Sequence, residues 1–364
     1  MESKTVIYLI ALVFGAVFLF NEFFVYFLVL NQCQWPSKFN DSVRAMLLAD
    51  THLLGPFRGH WFDKLRREWQ MRRAFHATIW LHQPNVVFIL GDVFDEGQYV
   101  DGERFEAYLM RFHDIFYTPS NMKVYSAVGN HDVGFHYRLH PYVVDRFKKA
   151  FKESQNTLIT IKDSHFVLVN SMTLSRDGCY FCAEAEQEIR RISQRLNCAK
   201  DSSNSSTCRR MTDKLPFYAR PILLQHFPTY RESDEVCVEH DSPQIEAYRE
   251  DWEVLSKDAT QFLGKALNPA VSFCGHSHHY CRSYNTWNVE EFTIASFSWR
   301  NKRSPSFLLA EFSNDEYAVS KCDMPSEHTV IFIYIISSFI VFLMFFYFIY
   351  DTYCRRNSRK QKPM

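Results

Sequence analysis

Polar side chains that can bind metal ions or carry protons follow short apolar runs at five places in the chain. Each run has the length of a buried strand, and the polar residues come where that strand would end. Mixed imidazole, carboxylate and amide ligands suit Mn, Fe or Zn better than Ca or Mg. A pair of such cations can hold both the attacking and the leaving oxygen of a phosphoryl group. The candidate ligands are Asp50, His52, Asp92, Asn130, His226, His276 and His278, and His131 directly follows Asn130.

The segments that must position these residues alternate between strands and helices. VRAMLLAD, NVVFILGD and KVYSAVGNHD have the pattern of strands and are separated by two amphipathic segments of helical length. Further short strands are indicated by HFVLVN, PILLQH, AVSFCGH and FLLAEF. This mixture predicts an α/β fold built as a four-layer α-β-β-α sandwich. Ligands in open α/β folds bind at the carboxyl ends of strands, so we expect the five polar sites to converge.

Each motif also has an ordinary structural explanation when it is taken alone. GNHD at residues 129–132 can be a turn in which Asn and Asp bond to their own backbone. His276 and His278 can be an isolated metal site or an exposed pair on one strand face. The complete set, in order and each at a strand end, favours a site for two metal ions.

The ordered motifs DTH, GDVFDEG, GNHD, QH and GHSH resemble the calcineurin-like metallophosphoesterase superfamily over about residues 46–279. The resemblance implies that Asp92 is shared by two metal ions and that His131 is a general acid. It implies further that Asp132 orients the imidazole of His131. The ligand sets implied for the two metals are Asp50, His52, Asp92 and His278, and Asp92, Asn130, His226 and His276.

A closer resemblance extends over nearly the whole chain. MLLADTHLLGPFRGHWFDKLRREWQMRRAF, VGNHDVGFHY, LLQHFPTYRESD and SFSWRN are similar to the two-span metallophosphoesterases that remodel glycosylphosphatidylinositol (GPI) anchors. That family removes an ethanolamine-phosphate branch from the second mannose of the glycan. It uses Mn²⁺, and it promotes the exit of GPI-anchored proteins from the endoplasmic reticulum. GPI-anchored proteins are then the expected partners, in the early secretory pathway, with Fe or Zn as alternative metals.

Two apolar segments at the chain ends are long enough to cross a bilayer. Residues 5–30 are predicted to be a signal anchor after a short cytosolic N-terminus of residues 1–4, although Asn21 and Glu22 weaken this span. Residues 329–350 are predicted to be a second span. The basic tail at 351–364 is predicted to be cytosolic by the positive-inside rule. Residues 31–328 then form one luminal domain.

Cysteines and glycosylation motifs agree with a luminal domain. Nine of the ten cysteines lie in or beside it, which suits a compartment that permits disulfides. The pairing is left open, although a bond between Cys33 and Cys322 would join the two ends of the domain. Asn40 and Asn204 begin sequons for N-glycosylation. Lys+Arg and Asp+Glu both number 41, and no nucleic-acid partner is expected.

Several other residues have two interpretations. His60 and His136 could contact the substrate phosphate or have ordinary surface roles, and Asp95 is expected to support its loop. Trp299 and Arg300 could line a glycan pocket. The basic helix that contains Trp61 and Trp69 could attract anionic head groups or the phosphates of a glycolipid. It is expected instead to have a solvated charged face backed by an aromatic core face.

Other functions for the same domain come from different classes. A luminal phosphoesterase could act on a nucleotide-sugar, a polyprenyl diphosphate or a sphingolipid phosphodiester. A domain that had lost catalysis could act in trafficking or adhesion. Transport receptors could also be partners, but the sequence does not identify them. A phosphatase of cytosolic phosphoproteins would need the opposite membrane topology.

Overall fold

The computed structural model describes residues 3–36, 39–153, 155–201, 206–242, 244–302 and 304–360. Two mixed β-sheets form the centre of the molecule. The strands are β1 Val43–Leu48, β2 Val86–Leu90, β3 Lys123–Ala127, β4 Thr157–Ile161, β5 Ser164–Val169, β6 Ile222–Gln225, β7 Glu239–His240, β8 Val271–Cys274, β9 Cys281–Tyr284, β10 Glu290–Thr293, β11 Ser306–Ser313 and β12 Glu316–Asp323. The first sheet has the order β12-β11-β1-β2-β3, and the second has the order β4-β5-β6-β8-β10-β9-β7.

Helices cover the outer face of each sheet, which confirms the predicted four-layer α-β-β-α sandwich. The helices are α1 Ser3–Leu19, α2 Val25–Leu30, α3 Trp61–His82, α4 Gly102–Ile115, α5 Asn130–Val133, α6 Pro141–Ala150, α7 Tyr180–Asp201, α8 Ser206–Arg210, α9 Lys257–Leu267 and α10 Glu327–Lys360. A π-helical turn, Phe20–Phe24, joins α1 to α2. Helices α3 and α4 contact each other on one side of the sandwich, and α7 and α9 contact each other on the other.

The period of two along each strand divides the core into inner and outer layers. In β1, Val43, Ala45 and Leu47 face the second sheet, whereas Met46 and Leu48 face the helices. Across the inner layer, the rings of Phe88 and Phe166 lie 4.9 Å apart. Because both faces of these strands are buried, their carboxyl ends have fixed positions at one edge of the sandwich.

The two apolar ends of the chain form helices that are long and apolar enough to cross a membrane, at Thr5–Leu30 and Glu327–Cys354. The polar residues within the first segment bond to the second. Asn21 Nδ2 donates to the Val330 carbonyl at 3.3 Å, and the Tyr334 hydroxyl donates to Glu22 Oε1 at 2.6 Å. These bonds pair polar groups that would otherwise face lipid, and they join the two segments side by side.

Helix α3 packs against the first membrane segment. The Phe23 ring contacts Trp69 edge to face at a centroid distance of 5.6 Å, and Phe27 contacts Trp80 at 5.7 Å. The guanidinium of Arg73 lies 4.2 Å from the Phe23 ring centroid. The expectation that Trp61 and Trp69 face the domain core is wrong, because Trp61 is 66% exposed and Trp69 packs on the span.

Six cysteines form the disulfides Cys179–Cys182, Cys198–Cys208 and Cys237–Cys281. Cys33 and Cys322 are both thiols and lie next to each other, so the suggested disulfide between them is not formed. A hydrogen bond to Cys33, together with burial, raises the pKa of the Cys322 thiol. Asn40 is exposed, and Asn204 lies outside the described residues.

Candidate metal centre

The predicted ligands lie at the carboxyl ends of β1, β2, β3, β6 and β8, where the two sheets meet. Most of them come after the end of a strand, where the chain turns sharply, and their own backbone lies in the left-handed region. A non-glycine residue in that region costs roughly 1–3 kcal/mol, and such residues cluster at functional sites. The candidate ligands with positive φ are Asp50, His52, Asp92, His276 and His278.

Two glycines let the ligand loops approach each other. Gly91 has φ +83°, and a Cβ there would lie 2.5 Å from His226 Nδ1. A Cβ on Gly129 would lie 2.2 Å from Asp92 Oδ1 and 2.3 Å from the Asp92 nitrogen. Both contacts are shorter than van der Waals distances, so a side chain at either position would displace a candidate ligand.

The first group of possible ligands contains Asp50, His52, Asp92 and His278, with ligand atoms that all lie within 4.8 Å of one another. The Nε2 atoms of His52 and His278 are 3.1 Å apart. His52 Nε2 lies 3.5 Å from Asp92 Oδ2, and His278 Nε2 lies 3.5 Å from Asp50 Oδ1. This group coincides with the ligand set that the resemblance implies for one metal.

The second group contains Asp92, His226 and His276, again within 4.8 Å. His226 Nε2 lies 3.3 Å from Asp92 Oδ2 and 3.1 Å from Asn130 Oδ1. Asp92 is therefore common to both groups, and its Oδ2 atom faces His52 on one side and His226 on the other.

The hydrogen bonds around the histidines fit two cations. His226 Nδ1 donates to the Leu90 carbonyl and His276 Nε2 donates to the Trp252 carbonyl, each at 2.8 Å, so the other ring nitrogen faces the centre. Burial and the neighbouring charge on His226 lower the pKa of His276 to about 3, which keeps a lone pair on its imidazole. The buried atoms Asp50 Oδ1, Asp92 Oδ2 and His276 Nδ1 have no hydrogen-bond partner among the residues that the structure describes. Buried acceptor atoms that converge on one place without a donor indicate that divalent cations bind there. The outer nitrogens of the imidazoles are fixed by hydrogen bonds, as is usual for histidines that bind metals.

His131 lies at the edge of both groups. Its backbone N–H donates to Asp92 Oδ1 at 2.8 Å, and its Nδ1 donates to the Asp95 carbonyl at 2.8 Å. Burial alone would lower the pKa of His131, but the carboxylates of Asp92 and Asp95 raise it to about 9. With Nδ1 engaged by the Asp95 carbonyl, Nε2 is the nitrogen from which a protonated His131 ring can donate.

The prediction that Asp132 orients His131 is wrong. Asp132 is buried, and its Oδ1 accepts from the Phe94 N–H at 2.9 Å. Its Oδ2 accepts from the N–H groups of Gly129 at 2.9 Å and Val93 at 3.3 Å. Burial and the charge of Asp92 raise the pKa of Asp132 to about 7. Asp132 thus joins the loops after β2 and β3, because three backbone donors converge on it.

Asp95 has the role that was predicted for Asp132, because its carboxylate contacts the imidazole of His131. Its Oδ1 lies 3.3 Å from the Nδ1 atoms of both His131 and His52, and its Oδ2 lies 2.5 Å from Arg300 Nη1. Burial would raise the pKa of Asp95, but His131, His52 and Arg300 hold it well below its usual range. Asp95 therefore positions both imidazoles and pairs with Arg300. The second aspartate of GDVFDEG was the available sequence signal.

The remaining candidates lie around this centre. Asn301 Nδ2 is 3.2 Å from His278 Nε2, a contact that the sequence did not suggest. His60 caps α3, where its Nδ1 accepts from the Phe62 N–H at 3.3 Å. His136 Nε2 pairs with Asp177 at 2.9 Å, beside the Cys179–Cys182 disulfide. Neither histidine belongs to the two ligand groups.

A buried polar network holds the loop that follows His226. Arg231 Nη2 donates to Asp234 Oδ1 at 3.1 Å, and the Tyr248 hydroxyl donates to the same carboxylate at 2.8 Å. His279 Nε2 lies 3.0 Å from Asp234 Oδ2. The network connects the loop after His226 to the segment that contains His276 and His278. It therefore holds together two of the segments that supply candidate ligands.

Replacing Asp234 with Ala should leave the buried Arg231 guanidinium without its partner. Removing one partner of a buried ion pair lowers the free energy of unfolding by about 3–5 kcal/mol, because the charge that remains is uncompensated. We expect the thermal midpoint of the purified protein to fall by roughly 6–20 °C, at about 2–4 °C per kcal/mol. Asp213→Ala, which removes the exposed partner of Arg195, is the matched control and should shift the midpoint little. Equal shifts for the two variants would contradict the role given to the network.

Comparison with known proteins defines the class. The sequence profile of the family described as calcineurin-like phosphoesterase matches residues 43–280, which include all the candidate ligands. The chain therefore belongs to the calcineurin-like phosphoesterase family, and it is a metal-dependent phosphoester hydrolase with a centre for two divalent ions.

The relatives extend this similarity beyond the phosphoesterase domain. The chain is 51% identical to Metallophosphoesterase 1 homolog of Drosophila melanogaster over 317 residues, 86% of this chain and 85% of the relative. It is 40% identical to Metallophosphoesterase 1 of Xenopus laevis, over 99% of this chain and 95% of the relative. Among solved structures, a dimetal phosphatase from Danio rerio is 13% identical, covers 78% of this chain and 100% of that chain, and has a TM-score of 0.43.

The arrangement supports hydrolysis of a phosphoester. The two groups that share Asp92 would hold two divalent ions. These ions would supply Lewis acidity at the phosphoryl oxygens. The protein's own contribution is to position the reacting groups and to deliver a proton. Asp95 fixes Nδ1 of His131, and Nε2 can then protonate a leaving oxygen, whose negative charge would otherwise slow departure.

Proposed function

We propose that this protein is a phosphodiesterase that removes the ethanolamine-phosphate branch from the second mannose of GPI anchors. It thereby promotes transport of GPI-anchored proteins from the endoplasmic reticulum to the Golgi. The observation that carries this proposal is the similarity to the proteins named Metallophosphoesterase 1, which extends beyond the family domain and includes the membrane segments. We propose Mn²⁺ as the metal in both positions.

The position of the domain supports a membrane-attached substrate. Two apolar helices flank it, and they bond to each other through Asn21 and Glu22. An enzyme held at a membrane meets a phosphodiester on that membrane at a high effective concentration. Three disulfides and the exposed Asn40 sequon favour a luminal domain, with residues 351–364 in the cytosol. We place the protein at endoplasmic-reticulum exit sites, the intermediate compartment and the cis-Golgi.

The test uses cells that lack the protein and are supplied with either the wild type or Asp92→Asn. Mass spectrometry of the glycan on one mature GPI-anchored protein measures the branch directly. We expect ethanolamine phosphate to persist on the second mannose with the variant and to disappear with the wild type. An identical glycan in both cell lines would mean that the hydrolase acts on a different phosphoester.

A further inference from the structure

A cavity of about 630 Å³ lies between α3 and the two membrane segments. Its size is within the range of pockets that bind small molecules. Both membrane segments and α3 contribute apolar side chains to its walls, and the charged groups at its edge are paired. Glu22 bonds to Tyr334, and Arg66 pairs with Glu327. The apolar residues that line it include Phe18, Leu65, Trp69, Val330, Ile331 and Ile335.

The residues around the cavity indicate how deep it lies relative to the membrane interface. Phe23 and Phe27, which lie within the last three turns of the first span, contact Trp69 and Trp80 of α3. Phe23 and Leu30 are seven positions apart, or about 10 Å along a helix, which is comparable to the depth at which interfacial helices lie. Helix α3 also exposes Trp61, Phe62, Leu65 and Trp80. Exposed tryptophans on a helix beside a span are typical of the membrane interface, so the cavity opens toward lipid.

A short segment connects the cavity to the metal centre. Trp299 lines the cavity, Arg300 Nη1 lies 2.5 Å from Asp95, and Asn301 Nδ2 lies 3.2 Å from His278 Nε2. Three residues extend at most about 10 Å, so the cavity and the ligands are near neighbours. A second cavity of about 160 Å³ shares Trp299 and Glu327 with the first, and it is also lined by Arg300, Asn301, Lys302 and His328. An apolar cavity thus adjoins a polar one, and two residues that line the polar one, Arg300 and Asn301, contact Asp95 and His278.

We propose that the larger cavity binds an acyl chain of the lipid that carries the substrate phosphodiester. The proposal rests on the proposed function, because it assumes a lipid-borne substrate. A lipid is the occupant that fits, since the walls come from two membrane spans and an interfacial helix. Binding of the chain would hold the head group beside the ligands and restrict its approach.

The test compares two substrates that contain the same phosphodiester. One is a GPI-anchored protein in phosphatidylcholine vesicles, and the other is the same protein after a phospholipase has removed its diacylglycerol. Leu65→Trp would fill the cavity from α3 at a residue that is already 58% exposed, so folding should be little affected. The matched control is Leu28→Trp, which is 57% exposed on the first span and does not line the cavity.

We expect Leu65→Trp to lower kcat/KM for the lipid-bearing substrate by about tenfold, as expected for the loss of one or two buried methylene contacts. Hydrolysis of the delipidated substrate should stay within about twofold of wild type, because the metal centre is unchanged. Leu28→Trp should leave both values unchanged. Equal effects of the two Trp variants on the lipid-bearing substrate would overturn the cavity's role.

A binding measurement independent of turnover completes the test. Vesicles doped with a phosphatidylcholine that has a photoactivatable acyl chain should label peptides containing Phe62–Trp69 and Val330–Ile335 in the wild type and in Leu28→Trp. Labelling should fall by about tenfold in Leu65→Trp, by the same loss of contacts. Unchanged labelling would overturn the proposal while leaving the proposed function intact. If neither GPI substrate is hydrolysed by the wild type, the proposed function fails, and the labelling still reports whether the cavity binds lipid.

Discussion

Asp92→Asn is expected to lower kcat/KM by about 10³-fold, the loss that follows removal of roughly 4 kcal/mol of electrostatic stabilisation at the reacting centre. The physical reason is that Asp92 Oδ2 faces both ligand groups, 3.5 Å from His52 Nε2 and 3.3 Å from His226 Nε2. An amide keeps the shape of the carboxylate and removes its charge. Both cation positions should therefore weaken together. Turnover of a simple soluble phosphodiester by purified protein measures this effect.

Metal content distinguishes the loss of ligands from the loss of fold. We expect the metal bound per chain, measured by elemental mass spectrometry, to fall by about half or more, because even partners of metal ligands change affinity by about 10–100-fold. Asp114→Asn on α4 is the control, since its carboxylate forms an exposed pair with Arg72. That variant should match the wild type in both measurements. Full metal content with full activity in Asp92→Asn would refute the shared role of Asp92.

His131→Asn should lower kcat by about 10²–10⁴-fold for a phosphodiester with an alkoxide leaving group, the usual contribution of a general acid. Asp95 engages Nδ1 of His131, so Nε2 is the atom that delivers the proton to the leaving oxygen. A p-nitrophenolate leaving group departs without a proton. We therefore expect a loss below about tenfold for the nitrophenyl ester, because it requires little general-acid assistance.

The ratio of the two losses separates two roles for His131. Equal losses for both leaving groups would show that His131 neutralises charge on the phosphate and does not donate a proton. Metal content should be unchanged, since His131 lies outside both ligand groups that share Asp92. His136→Asn is a suitable control because His136 pairs with Asp177 outside these groups.

The strand ends could be predicted from the sequence because the local pattern of apolar and polar residues marks them. Buried strands appear as apolar runs, and polar residues that follow them must lie at the edge of a sheet. Strand β12 was missed because its residues alternate weakly and are half-exposed. It nevertheless forms a hairpin with β11 through Asn314 and Asp315, and Asn314 has a left-handed backbone. The Asn-Asp pair was a usable turn signal.

The exchange of roles between Asp95 and Asp132 could not be predicted from spacing. Both carboxylates lie near the relevant motifs in sequence, and the choice depends on which backbone N–H groups the folded loops present. Tertiary packing also decides what covers the aromatic residues of α3. Their pattern indicates an apolar face, but the sequence does not reveal that Phe23 and Phe27 of a membrane span cover it.

The packing of α3 on the first span has a consequence for how the catalytic unit can be isolated. A chain truncated to residues 31–328 would lose Phe23 and Phe27 and uncover Trp69, beside the already exposed Trp61, Phe62, Leu65 and Trp80. A continuous apolar patch of this kind promotes aggregation. The anchor thus serves as part of the domain's own folding surface, and a soluble secreted enzyme would require polar replacements along one side of α3.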